Sequence, residues 1–439
     1  MAERVVLGGA LLCSADSTLQ WDTGVWIKDG LIAGIDSNGL LCSDHPHAEL
    51  VDARDLLLMP GLINTHMHSY GLLSHGMPAH GVQREFFELL DDFWWPYVED
   101  KLDGPMIEAA MALACYHMIR GGITSFCDVL EAPNAPEGIL ESEANVVRAA
   151  GLRAVLMTEA SERIDRARGE RLLAENASFI RDHQNDEFIS GMLCTHTSFS
   201  CSESFIELAG QTMQDLECDL HLHLSESAYE PKACLERYGE RPVMWYDRLG
   251  LWSNSVLVSQ AVAVDSDEID ILYERGVRVS HQPISNCEVG GGFAPVPAMI
   301  KRGIRPGLGT DGYVNSAFEV MRAAHLIQKA ALQDLQVMPT RDVFSMATTW
   351  GAQALARPDI GEIKQGHWAD LIGITMVTDT PLNSHNAVEQ IAIYRDVEHV
   401  KLTMVGGNVL MKNGKVLSLD VKKVRQDANQ QALRLWESG

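Results

Sequence analysis

Read as a succession of apolar and polar positions, the chain has two textures. From residue 4 to about 55, short apolar runs alternate with turn signals, as in Val25-Trp26-Ile27, Asp29-Gly30 and Leu31-Ile32. Asp-Gly between two such runs is a strong hairpin signal, because both turn positions need a left-handed backbone. The same texture returns after residue 365, where apolar runs at 371–374, 402–405 and 409–411 are separated by Gly406-Gly407-Asn408 and followed by Asn413-Gly414. The two ends therefore read as one small β-sandwich domain, built from residues 1–58 and 365–439, the latter closing in a terminal helix. A larger domain, residues 59–364, is inserted between them.

The inserted stretch alternates short apolar strands with helical periodicity, the pattern of a parallel sheet with crossover helices. Eight strand candidates fall at 61–64, 123–127, 154–157, 191–194, 219–223, 255–259, 277–280 and 306–309. Eight βα units predict an α/β fold of the (β/α)8 TIM-barrel kind, whose chemistry sits at the C-terminal strand ends. The first crossover is unusually long. It carries Phe86-Phe87 and Phe93-Trp94-Trp95-Pro96, an aromatic helical segment expected to roof the pocket.

Composition narrows the partners. At 439 residues the chain exceeds one small core and suits a barrel with a second, smaller domain. A net charge of −25 argues against nucleic acid or an anionic membrane as partner, and leaves neutral or cationic small molecules open. Nine cysteines form an odd set without a CxxC, and several sit in apolar runs, which fits a reducing compartment. The apolar stretch from Val5 to Cys13 is too short for a secretory signal and follows Glu3. No run approaches the ~18 apolar residues of a membrane span. A cytoplasmic protein is expected.

Chemistry enters at Pro60-Gly61-Leu62-Ile63-Asn64-Thr65-His66-Met67-His68. Alternate side chains of a strand share a face, so His66 and His68 point the same way and can chelate a divalent metal such as Zn or Fe. Later strand ends supply more polar groups: His196 after strand four, His221-Leu222-His223 with Glu226 at strand five, His281 at strand seven and Asp311 at strand eight. Polar groups at five of eight strand ends form a constellation that an apolar core would not use. His281 is expected to line the pocket, and Trp95 with its aromatic neighbours to stack on a flat ring. His75 and His80, just past the metal pair, read as loop residues.

The run from Pro60 to His68, the His223-x-x-Glu226 pair and Leu308-Gly309-Thr310-Asp311-Gly312 resemble the amidohydrolase superfamily. Within it, the chain is similar to the branch of methylthioadenosine/S-adenosylhomocysteine deaminases, guanine deaminases and triazine hydrolases. The similarity extends to Ser285-Asn286, Phe318 to Arg322 and Trp368-Ala369-Asp370-Leu371. It implies one divalent metal per chain, zinc ahead of iron, on His66, His68, His223 and Asp311. Binuclear members bridge two metals through a lysine or glutamate on an earlier strand, and strand four here has no lysine. The resemblance also implies that Asp311 orients the attacking water, that Glu226 moves its proton to the leaving group, and that His196 contacts substrate. Relatives are commonly oligomers, so a homo-oligomer is expected.

Two departures bear on the reaction. After strand six the family usually has a histidine, where this chain has Gln260; an amide can hydrogen-bond to water or substrate but cannot hold a proton as imidazole does. Nucleoside-deaminating relatives place a ribose-binding glutamate two residues past a Trp-Pro proline, whereas here Pro96 is followed by Tyr97, Val98 and then Glu99. One extra helical residue turns a side chain by about 100°; Glu99 stays a candidate substrate-binding residue, but the ribose contact does not carry over, which favours a compact heterocycle over a nucleoside. The leading expectation is hydrolytic deamination of an amino-substituted purine, pterin, pyrimidine or triazine. The alternatives are the same architecture acting on another leaving group (chloride, alkylamine or a ring amide) or on a nucleoside such as methylthioadenosine or S-adenosylhomocysteine, and a non-enzymatic binding protein on the same scaffold.

Overall fold

The computed structural model describes residues 3–78, 81 and 83–438, so His80 lies outside the described residues. Strands from both ends of the chain form one nine-stranded sheet. At its centre Glu49–Pro60 pairs parallel with Glu3–Leu11 and antiparallel with Leu371–Thr375, so the N- and C-terminal portions meet across one strand. The expected hairpin turns are present. Asp29-Gly30, Gly406-Gly407 and Asn413-Gly414 each have two residues of positive φ (55° and 81°, 53° and 74°, 52° and 72°), the left-handed pair that a tight two-residue hairpin requires. All nine strands belong to one hydrogen-bonded sheet.

Between these ends lie the parallel strands: β1 (Leu62–Met67), β2 (Ile123–Leu130), β3 (Arg153–Thr158), β4 (Ile189–Gly191, resumed as Leu193–Thr195), β5 (Leu220–Leu224), β6 (Val256–Gln260), β7 (Arg278–His281) and β8 (Gly307–Leu308). Each overlaps one of the eight runs read from the sequence. They form two parallel sheets, one of four strands ending on the first segment of β4 and one of five beginning on its second. Single parallel bridges link the two sheets, Ala160 with Thr195 and Met67 with Asp311. At the second junction the Thr310 and Asp311 N–H groups both donate to the His66 carbonyl, at 3.0 and 3.1 Å. Gly309 permits that approach, since a Cβ there would lie 2.7 Å from the same oxygen.

The crossover helices cover the outer faces of these strands. One apolar cluster joins Met111, Cys115, Ile119 and Val147 to Phe126 and Leu156, and another joins Phe205, Trp245 and Leu272 to Leu222 and Val258. The terminal helix, Val421–Glu437, packs on the first crossover helix, Gly104–Gly121, with Leu435 fully buried and the Arg425 guanidinium donating to Tyr116 Oη at 3.0 Å. Among the described residues, no helix is long and apolar enough to cross a membrane.

Candidate metal centre

Four buried imidazoles gather where β1 and β5 end. His66 and His68 leave β1 on one face, and His221 and His223 leave β5 on another, as strand alternation requires. The His68 Nδ1–H donates to the Val129 carbonyl at 2.8 Å, which turns Nε2 inward. His66 Nδ1 lies 3.2 Å from His221 Nε2, and His66 Nε2 is buried with no hydrogen-bond partner. One nitrogen each of His66, His68 and His223 falls within 4.8 Å of the others. Asp311 completes the group, Oδ1 lying 3.5 Å from His68 Nε2 and Oδ2 4.0 Å from His66 Nε2. Three imidazole nitrogens and a carboxylate, with an orphaned Nε2 among them, fit a divalent cation.

Electrostatics point the same way. Burial, then the neighbouring His68, His223 and His221, holds His66 far below the usual histidine range, so it is a neutral donor. Burial alone would also depress His68, but the Glu131 and Asp311 carboxylates outweigh it and raise it. The centre therefore attracts positive charge. His223, depressed to about 4 mainly by burial, stays neutral.

Gln260 is drawn into this group. Its side-chain N–H₂ donates to Asp311 Oδ2 at 2.6 Å, and its backbone N–H donates to Gln282 Oε1 at 2.8 Å. Asp311 Oδ1 accepts from the Gly312 N–H at 2.7 Å, so the carboxylate is held at both oxygens. Ser225, Gln260, Ala261 and Asp311 are all left-handed, with φ of 47°, 71°, 47° and 60°. Non-glycine residues rarely adopt this conformation, and four such residues at the ends of β5, β6 and β8 place backbone strain at the site.

A cavity of about 40 Å³ opens beside these groups, bounded by His68, His196, His223, Glu131, Glu226 and Asp311. Its apolar wall is made of Phe86, Leu89, Leu90, Trp94, Val289 and Tyr313. That volume is far below the ~300 Å³ of a small ligand pocket, so admitting a heterocycle requires this wall to move. Trp94 stacks on Tyr313, with ring centroids 6.2 Å apart. Burial, then the charges of Asp311 and Glu131, pushes the Glu226 carboxyl well above the usual range.

The remaining site residues read from sequence are distributed differently. His196 borders the cavity, with Nδ1 2.7 Å from Ser200 Oγ, and burial depresses it to about 3. Trp95 does not border the cavity; it meets His196 edge-on, and Arg163 lies over its ring. Trp94 takes the facing position because Leu90–Trp94 is a π-helical turn, wider than an α-helical one. Glu99 is buried behind the cavity, accepting from Arg163 at 3.1 Å and from Tyr70 Oη at 3.4 Å. His281 is buried at the end of β7 with both ring nitrogens unpartnered and lies outside the cavity wall. His75 Nε2 donates to the Gly312 carbonyl at 2.8 Å, as a loop residue.

Two glutamates absent from the sequence reading lie in the centre. Glu131 directly follows β2 and Glu159 directly follows β3, and each is only 8% exposed. Glu131 Oε1 lies 3.7 Å from the Nε2 atoms of both His68 and His223, and Glu159 Oε2 lies 3.3 Å from His223 Nδ1. Burial would raise Glu131, but His68, His223 and a hydrogen bond shared with Glu99 hold it well below the carboxylate range. Glu99 and Glu159 are driven the other way, by burial and by the charge of Glu131. The signal that would have found both was their place immediately after a strand, the same place that identified His196.

The chain belongs to the amidohydrolase family, whose profile matches residues 57–410. It is 32% identical over 417 residues to a 5'-deoxyadenosine deaminase of Methanosarcina mazei, covering 94% of this chain and 93% of that protein. It is likewise 32% identical over 393 residues to a 5-methylthioadenosine/S-adenosylhomocysteine deaminase of Dictyoglomus thermophilum, covering 88% and 89%. Among solved structures, a zinc-bound adenosine deaminase from Xanthomonas campestris superposes with a TM-score of 0.89 at 23% identity, over 99% of this chain and 98% of that one, which supports the fold.

Proposed function

We propose that this protein is a zinc-dependent aminohydrolase that deaminates an amino-substituted N-heterocycle, with one metal ion per chain held by His66, His68, His223 and Asp311. The convergence of three imidazole nitrogens and one carboxylate on one point, with His66 Nε2 buried and unpartnered, carries this reading. It is supported by relatives named as deaminases along nearly the full length. In the same reading β1 to β8 make up a (β/α)8 barrel over residues 59–364. Residues 1–58 and 365–439 then form the second domain around the terminal sheet. The protein acts in the cytoplasm as a homo-oligomer on a small heterocycle, without nucleic acid; its nine unpaired cysteines favour that compartment.

A cation at this point supplies Lewis acidity and lowers the pKa of water beside it. The chain's residues do the rest. Gln260 and the Gly312 N–H fix the Asp311 carboxylate so that it orients the attacking water. Glu226 takes a proton from that water as oxygen bonds to the ring carbon, then delivers it to the exocyclic nitrogen as the C–N bond breaks and ammonia departs. Burial and the charges of Asp311 and Glu131 raise the proton affinity of Glu226, which favours its uptake of that proton. His196 and Trp94 border the ring. His281 lies beyond the wall.

The ring itself divides two readings. Glu99 is held by Arg163 and Tyr70 behind the cavity, which favours a free heterocycle over a nucleoside needing that carboxylate for its sugar. The relationship to a 5'-deoxyadenosine deaminase favours an adenine nucleoside. The test is ammonia release from adenine, guanine, a pterin, an aminotriazine and 5'-deoxyadenosine, using metal-loaded and chelated protein. Release from at least one substrate, lost on chelation, is expected; Glu226→Gln should keep its metal and lose about 10²–10⁴-fold in rate. A blank panel from fully loaded protein would sink deamination. Product masses showing loss of chloride or alkylamine would move the reading to another leaving group.

A further inference from the structure

The metal reading leaves Glu131 unexplained. It is a buried carboxylate whose Oε1 faces the Nε2 atoms of His68 and His223, 3.7 Å from each. The His68 Nδ1–H is committed to the Val129 carbonyl, which turns Nε2 towards the centre. The His223 Nδ1 faces Glu159 Oε2 at 3.3 Å, on the side of the ring away from Glu131. A carboxylate oxygen set between two imidazole nitrogens at equal distance needs positive charge beside it, which a bound cation supplies. The Tyr70 hydroxyl, donating to Oε2 at 2.8 Å, holds Glu131 in this arrangement.

Distances give the comparison that matters. Donors bound at about 2.0–2.2 Å to one metal lie about 3.0–3.6 Å from each other in a shared shell. Asp311 stands 3.5 Å from His68 Nε2 and 4.0 Å from His66 Nε2, while Glu131 stands 3.7 Å from two imidazole nitrogens. By this measure Glu131 is as close to the centre as the carboxylate already assigned there.

Resting on the metal reading above, we propose that Glu131 is a further protein ligand, so that the ion is held by three imidazoles and two carboxylates. The Val129 carbonyl orients His68 through Nδ1, and Glu159 lies against the Nδ1 side of His223. Zinc shells expand from four to five donors, and cobalt(II) does the same with a visible change in spectrum.

The experiment loads the wild type, Glu131→Gln and Glu131→Ala with cobalt(II), and measures visible spectra and chelator competition. Cobalt(II) absorbs more strongly at each step as its coordination number falls from six through five to four. The wild type should therefore show weak bands that intensify in both variants, with metal affinity falling at least about tenfold, the scale on which even ligand-orienting residues act. Complete failure of both variants to load, with circular dichroism matching the metal-free wild type, also supports the assignment. Unchanged spectra and affinity in the two variants overturn it, including the case where only KM rises, which would make Glu131 a substrate contact. A wild type that takes up no cobalt or zinc overturns the metal reading itself, an outcome separate from either of these.

Discussion

Gln260 shows what one side chain does to the centre. The position that usually carries an imidazole carries an amide, and that amide is spent on Asp311 Oδ2 at 2.6 Å. It is fixed in turn, because its backbone is held by Gln282, whose own amide donates to Ser280 Oγ at 2.6 Å. An amide keeps its donor at every pH at which the protein is folded, whereas a histidine would change charge. Partners that orient a metal-binding carboxylate commonly account for 10–100-fold in affinity. Gln260→Ala is therefore expected to weaken zinc binding by about that factor in a chelator competition. Wild-type affinity in the variant would show that Asp311 needs no such support. Sequence could name Gln260 as unusual but could not name its partner, since the bond spans 51 residues and depends on where β6 and β8 end.

At the scale of elements, the loops after β4 and β5 are tied by one buried carboxyl. Glu230 accepts from the Ser198 N–H and hydroxyl, both at 2.8 Å, and from the Ser225 N–H at 2.5 Å. Burial pushes it up to about 7, against the pull of those donors. The folded state therefore holds this proton more tightly than the unfolded chain, whose glutamates titrate near 4.3. Between these values the native state binds more protons, so stability falls as pH rises, by at most about 1.4 kcal/mol per unit, and levels off above the folded pKa. Glu230→Gln removes the titration. Relative to that variant, the wild type should lose stability from about pH 4.5 to 7 in urea unfolding, and parallel curves would refute the assignment. The elements themselves were largely legible. The eight strands follow from apolar runs of strand length between helical stretches, and the hairpins from Asp-Gly, Gly-Gly and Asn-Gly pairs with positive φ. Glu131 and Glu159 were missed although they stand directly after strands, because a lone carboxylate after a strand is common and only the folded chain brings these two against His223. Trp94 could not be told from Trp95, since the π turn over Leu90–Trp94 has no distinct sequence pattern.

At the scale of the molecule, the parallel strands and the terminal sheet are joined by a buried ion pair. Arg153 begins β3, and Asp370 immediately precedes the strand Leu371–Thr375 of the terminal sheet. The guanidinium binds the carboxylate at two points, Nε to Oδ2 at 2.6 Å and Nη2 to Oδ1 at 3.2 Å, with both side chains 1% exposed. Each partner is further satisfied. Arg153 donates to the Glu187 carbonyl at 2.6 Å and lies against the rings of Phe188 and Trp368, while Asp370 accepts from the Gly406 N–H at 2.7 Å. Taking two charges out of water costs several kcal/mol per ion, so the pair adds little net stability even with these partners, but removing one member leaves an uncompensated charge. Asp370→Ala should therefore destabilise the protein by about 3–5 kcal/mol, while Arg153→Met with Asp370→Leu should recover much of that loss. The site lies at the other end of these strands, so the double variant should keep zinc affinity close to wild type. Equal destabilisation of the single and double variants in urea unfolding would mean that the pair contributes through its hydrogen bonds to the Glu187 carbonyl and the Gly406 N–H, and not through the compensation of charge between the two bodies of the fold.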